Sequence, residues 1–123
     1  MAKKLENLKS LIHDQEMFYE YLIELGNDMG DLMELRKHEH FVPGCQSAVW
    51  LSYDGSQYTV DADSYMVKAV AGIIVDEAHE MTDPSKLSFN HFKDIAKALT
   101  SQRQRGMQAI INKIRELHRQ RNQ

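Results

Sequence analysis

The sequence predicts an α+β fold, in which a small antiparallel three-stranded sheet packs against helices. Apolar residues recur every three or four positions towards both ends of the chain, a spacing typical of amphipathic helices. Between these regions, residues 47–62 are rich in β-branched and aromatic side chains, which favour strands. The length of 123 residues and the 42% hydrophobic content suit one core, so we expect a single domain over residues 1–123.

The N-terminal region is predicted to be helical. Apolar side chains from Leu5 to Leu25 recur at three- and four-residue spacing, so we expect one amphipathic helix that ends at Gly26. A second, shorter helix is expected from about Asp31 to Lys37. It leads into a loop that contains His38 and His40.

Two strands are predicted at residues 47–53 and 57–62. The connection Asp54-Gly55-Ser56 is typical of a hairpin, so the two strands should be antiparallel. Phe41 and Val42 are expected to add a third strand that ends at Pro43, because proline cannot donate a ladder hydrogen bond. A sheet this small needs helices against one face to bury it.

Asp63 or Ser64 is predicted to cap the next helix. Residues 66–75 are apolar on nearly every side, which is typical of a central, buried helix. Its one charge, Lys68, is expected to extend its aliphatic stem and place the ammonium group in solvent. Glu77 is expected on the surface near the end of this helix.

The remaining helices are predicted from their caps. Asp83-Pro84 combines an N-cap residue with a proline suited to a first turn. Ser88 is expected to cap a helix that extends to about Leu99. Thr100 or Ser101 should then cap the last helix, whose apolar stripe includes several isoleucines.

The net charge of −3 is distributed unevenly. Residues 1–99 carry nine Lys and Arg against 17 Asp and Glu, whereas residues 100–123 carry six against one. The acidic body would repel phosphates and the basic tail lacks interleaved aromatics, so we expect no nucleic-acid partner. The sequence also contains no long apolar run and no signal-peptide core, and one cysteine suits a reducing compartment. We therefore expect a cytoplasmic protein without a membrane partner.

Cys45 is the only cysteine, and it follows the turn-forming pair Pro43-Gly44. Proline presets φ for one central turn position and glycine tolerates positive φ at the next, so the chain should reverse just before the thiol. A thiol on a constrained turn can be presented to another molecule, but a buried or incidental cysteine is the alternative. A solitary thiol would suit a sulfur carrier, because a second thiol would attack its persulfide and release sulfide.

His38, His40 and Cys45 raise the alternative of a zinc site. Structural zinc usually takes four ligands and often more than one cysteine, and an iron–sulfur cluster commonly takes several thiolates. Solvated loop histidines are the simpler interpretation. We therefore expect no metal, and elemental analysis would decide.

Four segments in order resemble one known family. Residues 42–50, Val-Pro-Gly-Cys-Gln-Ser-Ala-Val-Trp, are similar to the family's Gly-Cys-Gln-Ser-x-Val-Trp signature. Residues 21–26, 61–68 and 99–107 are similar to the end of its N-terminal helix, its Asp-Ser-Asp-Ala segment and the start of its last helix. Over about residues 21–117, the sequence resembles the SufE family of sulfur acceptors, which includes the CsdE branch.

The resemblance implies the α+β fold shared with U-type iron–sulfur scaffold proteins. It implies that Cys45 accepts sulfane sulfur as a persulfide from a cysteine desulfurase, stimulates that enzyme and relays the sulfur for iron–sulfur cluster assembly. A downstream iron–sulfur scaffold is a candidate second partner. Pyridoxal phosphate would belong to the desulfurase, and this chain would hold no cofactor. Gln46, Asp63 and Arg103 are carried over only as candidates for supporting the Cys45 loop.

Two alternatives remain beside a sulfur-transfer accessory protein. One is a U-type scaffold or zinc-binding protein of the same fold, and the other is a non-catalytic domain that only binds a desulfurase. Departures from the family pattern at Ala48, Ser101 and Gln102 leave open which desulfurase and which delivery pathway, of SufE or CsdE type, the protein serves. The sequence does not decide between a monomer and a homodimer.

Overall fold

The structure is a computed structural model that describes residues 2–121. Helices α1 (Lys3–Lys9) and α2 (Gln15–Met29) precede a sheet of strands β1 (Val49–Tyr53) and β2 (Tyr58–Ala62). Helices α3 (Tyr65–Glu80), α4 (Lys93–Ala96) and α5 (Ser101–Arg121) follow. Short 3-10 turns lie in the connections, at Met33–Leu35, His38–His40, Pro84–Lys86 and Phe89–Phe92. The predicted α+β class, with helices packed on a small antiparallel sheet, is confirmed.

The sheet has two strands in the described residues, so the predicted third strand is wrong. β1 and β2 pair antiparallel, from Val49 opposite Ala62 to Tyr53 opposite Tyr58. Phe41 forms only an isolated bridge with Trp50. Pairing ends there because the chain enters the turn at Pro43, whose ring nitrogen has no hydrogen to donate. Residues 47 and 48, predicted as strand, lie in the loop before β1.

The expected single N-terminal helix is broken in two. The Asp14 carboxylate accepts a hydrogen bond from the Met17 N–H and caps a new helix, α2. α2 then continues through Gly26, the predicted end, because this glycine packs against the start of α3. A Cβ atom at Gly26 would overlap the Tyr65 carbonyl oxygen. The helix predicted at 31–37 is only the 3-10 turn Met33–Leu35.

α3 is the buried central helix, as predicted, and contacts α2, β2 and α5. Ser64, rather than Asp63, caps it by accepting a hydrogen bond from the Val67 N–H. Lys68 does not reach solvent, because its side chain is 1% exposed and its ammonium group is paired with carboxylates. The surface position expected for Glu77 is also wrong, since this buried carboxylate accepts the Ala2 N–H at 2.9 Å.

The C-terminal caps agree in part with the prediction. The Asp83 side chain accepts the Ser85 N–H and starts the turn Pro84–Lys86. The helix expected from Ser88 to Leu99 is reduced to the turn Phe89–Phe92 and the one-turn α4. It ends early because the side chain of Gln104 donates to the carbonyls of Ala96 and Leu99, which replaces continued helical bonding.

Candidate functional site

Residues 43–48, here called the Cys45 loop, leave and rejoin the fold at one point. The Val42 N–H donates to the Val49 carbonyl at 2.8 Å and closes the base of the loop. The predicted turn at Pro43-Gly44 is present. Gly44 has a φ of +96°, a conformation that glycine adopts without the steric cost of a side chain.

The loop lies against helix α5. The Cys45 Sγ is 3.6 Å from the carbonyl oxygen of Gly106, within reach of a weak S–H hydrogen bond. A Cβ atom at Gly44 would lie 3.3 Å from the Cβ of Ala109, which leaves no spare room for a larger residue. The turn therefore places the Cys45 thiol in contact with the backbone carbonyl of Gly106 in α5.

A cavity of about 190 Å³ lies beside the thiol, between the Cys45 loop and the N-terminal parts of α3 and α5. Its apolar wall comes from Val67 and Val70 of α3 and from Met107 and Ile110 of α5. Polar side chains that line it include Gln46, Ser47, Ser64, Thr100, Gln102 and Arg103. The cavity thus combines one apolar wall with several polar groups.

Burial raises the pKa of the Cys45 thiol above its ordinary value. The thiol is therefore protonated at neutral pH, and a protonated thiol is a weak nucleophile. Within residues 2–121, no histidine lines the cavity, and the His40 ring lies beside Glu39. Neither loop histidine is placed as a base for the thiol in the closed loop.

Asp63 fastens the far end of the loop. Its carboxylate accepts the Ala48 N–H at 3.1 Å, and its own N–H donates to the Ala48 carbonyl at 3.1 Å. This reciprocal pair joins the loop to the residue that follows β2. Asp63 therefore contacts the Cys45 loop directly, while the adjacent Ser64 performs the helix-capping role.

The other two candidate residues, Gln46 and Arg103, both line the cavity together with Cys45. Arg103 lies in the first turn of α5, where the Thr100 hydroxyl accepts its backbone N–H. Within residues 2–121, its guanidinium group has no hydrogen-bond or ion-pair partner. The structure thus brings three of the four candidates to one cavity and places the fourth at the edge of the loop.

A buried ionic network next to the loop was missed from the sequence. The Asp61 carboxylate, 0% exposed, accepts from the Arg36 Nε at 2.8 Å and from the Leu32 N–H at 3.1 Å, and lies 3.2 Å from the Lys68 ammonium group. Burial alone would raise the pKa of Asp61, but these donors hold it below its ordinary value. Two features of the sequence could have indicated this network: the single lysine, Lys68, in an apolar helix and the aspartate, Asp61, in a strand.

Among the described residues, no group of three or more His, Cys, Asp or Glu side chains is arranged to hold a metal ion. His38, His40 and Cys45 therefore do not form a three-ligand site in residues 2–121. No helix in the same part of the chain has the length and apolar character needed to cross a membrane.

The chain was compared with protein-family models and with known proteins. A family model described as "SufE: Fe-S metabolism associated domain" matches residues 3–118. The chain is also 29% identical over 119 residues to an uncharacterized SufE-like protein of Rhizobium etli. That alignment covers 85% of this chain and 80% of the relative.

Proposed function

The chain belongs to the SufE family, which is associated with iron–sulfur metabolism, and on this premise we propose that Cys45 accepts sulfane sulfur from a cysteine desulfurase. The single observation that carries this proposal is the placement of the Cys45 thiol, on a glycine turn and beside a cavity of about 190 Å³. The chain acts as a sulfur-transfer accessory protein rather than as a stand-alone enzyme.

The transfer is an exchange between a thiolate and a persulfide. The Cys45 thiolate attacks the outer sulfur of a persulfide on the donor's cysteine, the donor's S–S bond breaks, and a new S–S bond forms on Cys45. The donor leaves as a thiolate, so atoms, charge and electrons balance without an oxidant or a reductant. Removal of the sulfur frees the donor cysteine and stimulates its turnover.

The cavity gives the added sulfur a sheltered position. One water molecule occupies about 30 Å³ in the liquid, so about 190 Å³ has room for one further sulfur atom beside the Cys45 Sγ. The aliphatic walls from α3 and α5 cover part of that position and reduce the access of soluble thiols to it. The shelter matters because an exposed persulfide would be attacked by other thiols and would lose its sulfur.

The same partial burial disfavours the thiolate in the closed loop, so we place the reactive state in a loop that has opened. The contacts that this movement breaks include the reciprocal hydrogen bonds between Asp63 and Ala48, the weak contact of the thiol with Gly106 and the packing of Cys45 against the core. When the loop turns outward on the donor, the thiol becomes hydrated, its pKa falls and the thiolate becomes available. Docking of the donor thus couples exposure of Cys45 to its activation.

The partners follow from this chemistry. The donor is a cysteine desulfurase that carries its own pyridoxal phosphate, and the acceptor after Cys45 is an iron–sulfur scaffold or another consumer of sulfane sulfur. The proposed compartment is the cytoplasm, where reduced thiols prevail.

Intact-mass spectrometry tests the proposal. The chain is incubated with a cysteine desulfurase and free cysteine, and we expect a gain of one sulfur atom that a reductant removes and that Cys45→Ser does not acquire. An adduct that persists on Cys45→Ser would contradict the proposal. Binding of the desulfurase without any gain of sulfur would favour the non-catalytic binding domain, and about one metal ion per chain, lost in Cys45→Ser, would favour the metal-binding alternative.

A further inference from the structure

The base of the Cys45 loop is held by aromatic side chains that the proposed transfer does not use. Phe41 bridges to Trp50 across the loop, and their rings meet edge to face with centroids 6.5 Å apart. Phe41 is 40% exposed, so burial in the core does not fix it. The ring contact and the hydrogen bond from Val42 to Val49 therefore hold this end of the loop against β1.

Arg36 connects this ring pair to the buried network. Its guanidinium carbon lies 5.0 Å from the centroid of the Trp50 ring, while its Nε donates to Asp61 at 2.8 Å. Asp61 is the strand partner of Trp50, so one guanidinium spans both residues of a cross-strand pair. A planar guanidinium can cover a ring and pair with a carboxylate at once, which a lysine ammonium group does less well.

Asp61 gives Arg36 a fixed point of attachment. The carboxylate is fully buried and is also paired with Lys68 of the central helix α3. Arg36 donates a further hydrogen bond to the Ala62 carbonyl at 3.3 Å. Its orientation over Trp50 is therefore set by the core rather than by solvent.

We propose that Arg36 is a positioning residue for Cys45, which clamps Trp50 so that opening of the loop is confined to residues 43–48. This inference rests on the proposed role of Cys45 as a sulfur acceptor. With the base fixed, the tip closes each time onto Gly106 and returns the sulfur-bearing side chain to the cavity. Without the contact of Arg36 with Trp50, the base of the loop also separates from β1, and Cys45 becomes more exposed to solvent in the absence of a partner.

The test is the rate at which iodoacetamide alkylates Cys45 in the free, full chain. For Arg36→Gln we expect roughly tenfold faster alkylation than in the wild type, because the open loop becomes more populated. Arg36→Lys keeps a charge near Asp61 but loses the planar contact, so its rate should rise only about threefold. Local opening exposes little surface, so both increases should persist unchanged in urea well below the unfolding transition.

Arg115→Gln is the matched control. It also removes a part-buried arginine hydrogen bond, from the Arg115 Nε to the Ser85 carbonyl at 3.1 Å, but it lies outside the cavity and the loop. Its alkylation rate should stay within about twofold of the wild type. If both glutamine variants accelerate alkylation equally, or only where urea begins to unfold the chain, Arg36 is merely structural and the proposal is wrong.

Phe41→Ala is a second variant for the same alkylation assay, and it tests the proposal even if Arg36→Gln does not fold. This change leaves the pairing of Asp61 intact and removes a ring that is already partly exposed, and it should accelerate alkylation roughly fivefold. A wild-type rate in Phe41→Ala would overturn the clamp. Alkylation by iodoacetamide needs no sulfur donor, so the two proposals fail separately. A wild-type chain that gains no sulfur in the mass assay contradicts the proposed function alone. Unchanged alkylation in these variants contradicts the positioning role alone.

Discussion

The hydrogen bond from Ala48 to the Asp63 carboxylate should control how often the Cys45 loop opens. Asp63→Ala removes the carboxylate but leaves the backbone bond from the residue-63 N–H to the Ala48 carbonyl. A hydrogen bond to a charged group contributes about 1.5–3 kcal/mol, and this one is exposed, so the lower end applies. A loss of about 1.4 kcal/mol raises the population of the open loop roughly tenfold.

Alkylation of Cys45 in the absence of denaturant measures this population. We expect the rate to rise about tenfold in Asp63→Ala and about twofold to threefold in Asp63→Asn, whose amide oxygen retains a neutral acceptor for the Ala48 N–H. Reductant should also remove a preformed persulfide from Asp63→Ala faster than from the wild type, since the same opening exposes it. Urea unfolding of each variant provides the correction for global stability.

Two results would refute this reasoning. If Asp63→Ala lowers the free energy of unfolding but leaves Cys45 alkylation at the wild-type rate, the carboxylate stabilises the fold without latching the loop. If Asp63→Asn and Asp63→Ala accelerate alkylation equally, charge rather than the hydrogen bond to Ala48 holds the loop closed.

Three further predictions concern the turn, the thiol and the buried lysine. Gly44→Val should abolish most sulfur acceptance in the mass assay, whereas Gly30→Val, also at positive φ but with open space around it, should lower urea stability and leave acceptance intact. Because the pKa of Cys45 is raised, its contribution to stability is complete below the ordinary thiol pKa and is lost as pH rises through the raised value. Urea titrations should therefore show a steeper alkaline loss of stability in the wild type than in Cys45→Ala, and parallel curves would contradict the burial of the thiol. Lys68→Met should lower the free energy of unfolding by about 3 kcal/mol in urea titrations, whereas Lys113→Met should lower it by less than about 0.5 kcal/mol. Equal effects of the two substitutions would argue against the buried network.

Features set by neighbouring residues were predictable from the sequence. The turn at Pro43-Gly44 follows from the restricted φ of proline and the tolerance of glycine for positive φ. The buried helix α3 and the Thr100 cap of α5 follow from a continuous apolar pattern and from capping chemistry, which are also local. The residues that line the cavity beside Cys45 were only partly predictable, because they come from three separate segments.

The errors arose where distant segments decide local structure. Gly26 was expected to end a helix but instead accommodates the backbone at Tyr65, a contact that no local pattern signals. Lys68 was expected in solvent. Its carboxylate partners, Asp31 and Asp61, lie on other segments, so the local sequence gives no sign that the ammonium group is paired inside the protein. Phe41 was expected in a strand, but a proline two residues later limits it to one bridge.

The contact between Cys45 and Gly106 also bears on the biogenesis of the protein. The two residues are 61 positions apart, so the ribosome must add that much chain after the cysteine before its resting place exists. At about 5–20 residues per second, the nascent thiol is unsheltered for several seconds. On the proposed function, the protein could therefore retain sulfur only once its last helix has docked, and a nascent or prematurely terminated chain would expose the thiol without the cavity beside it.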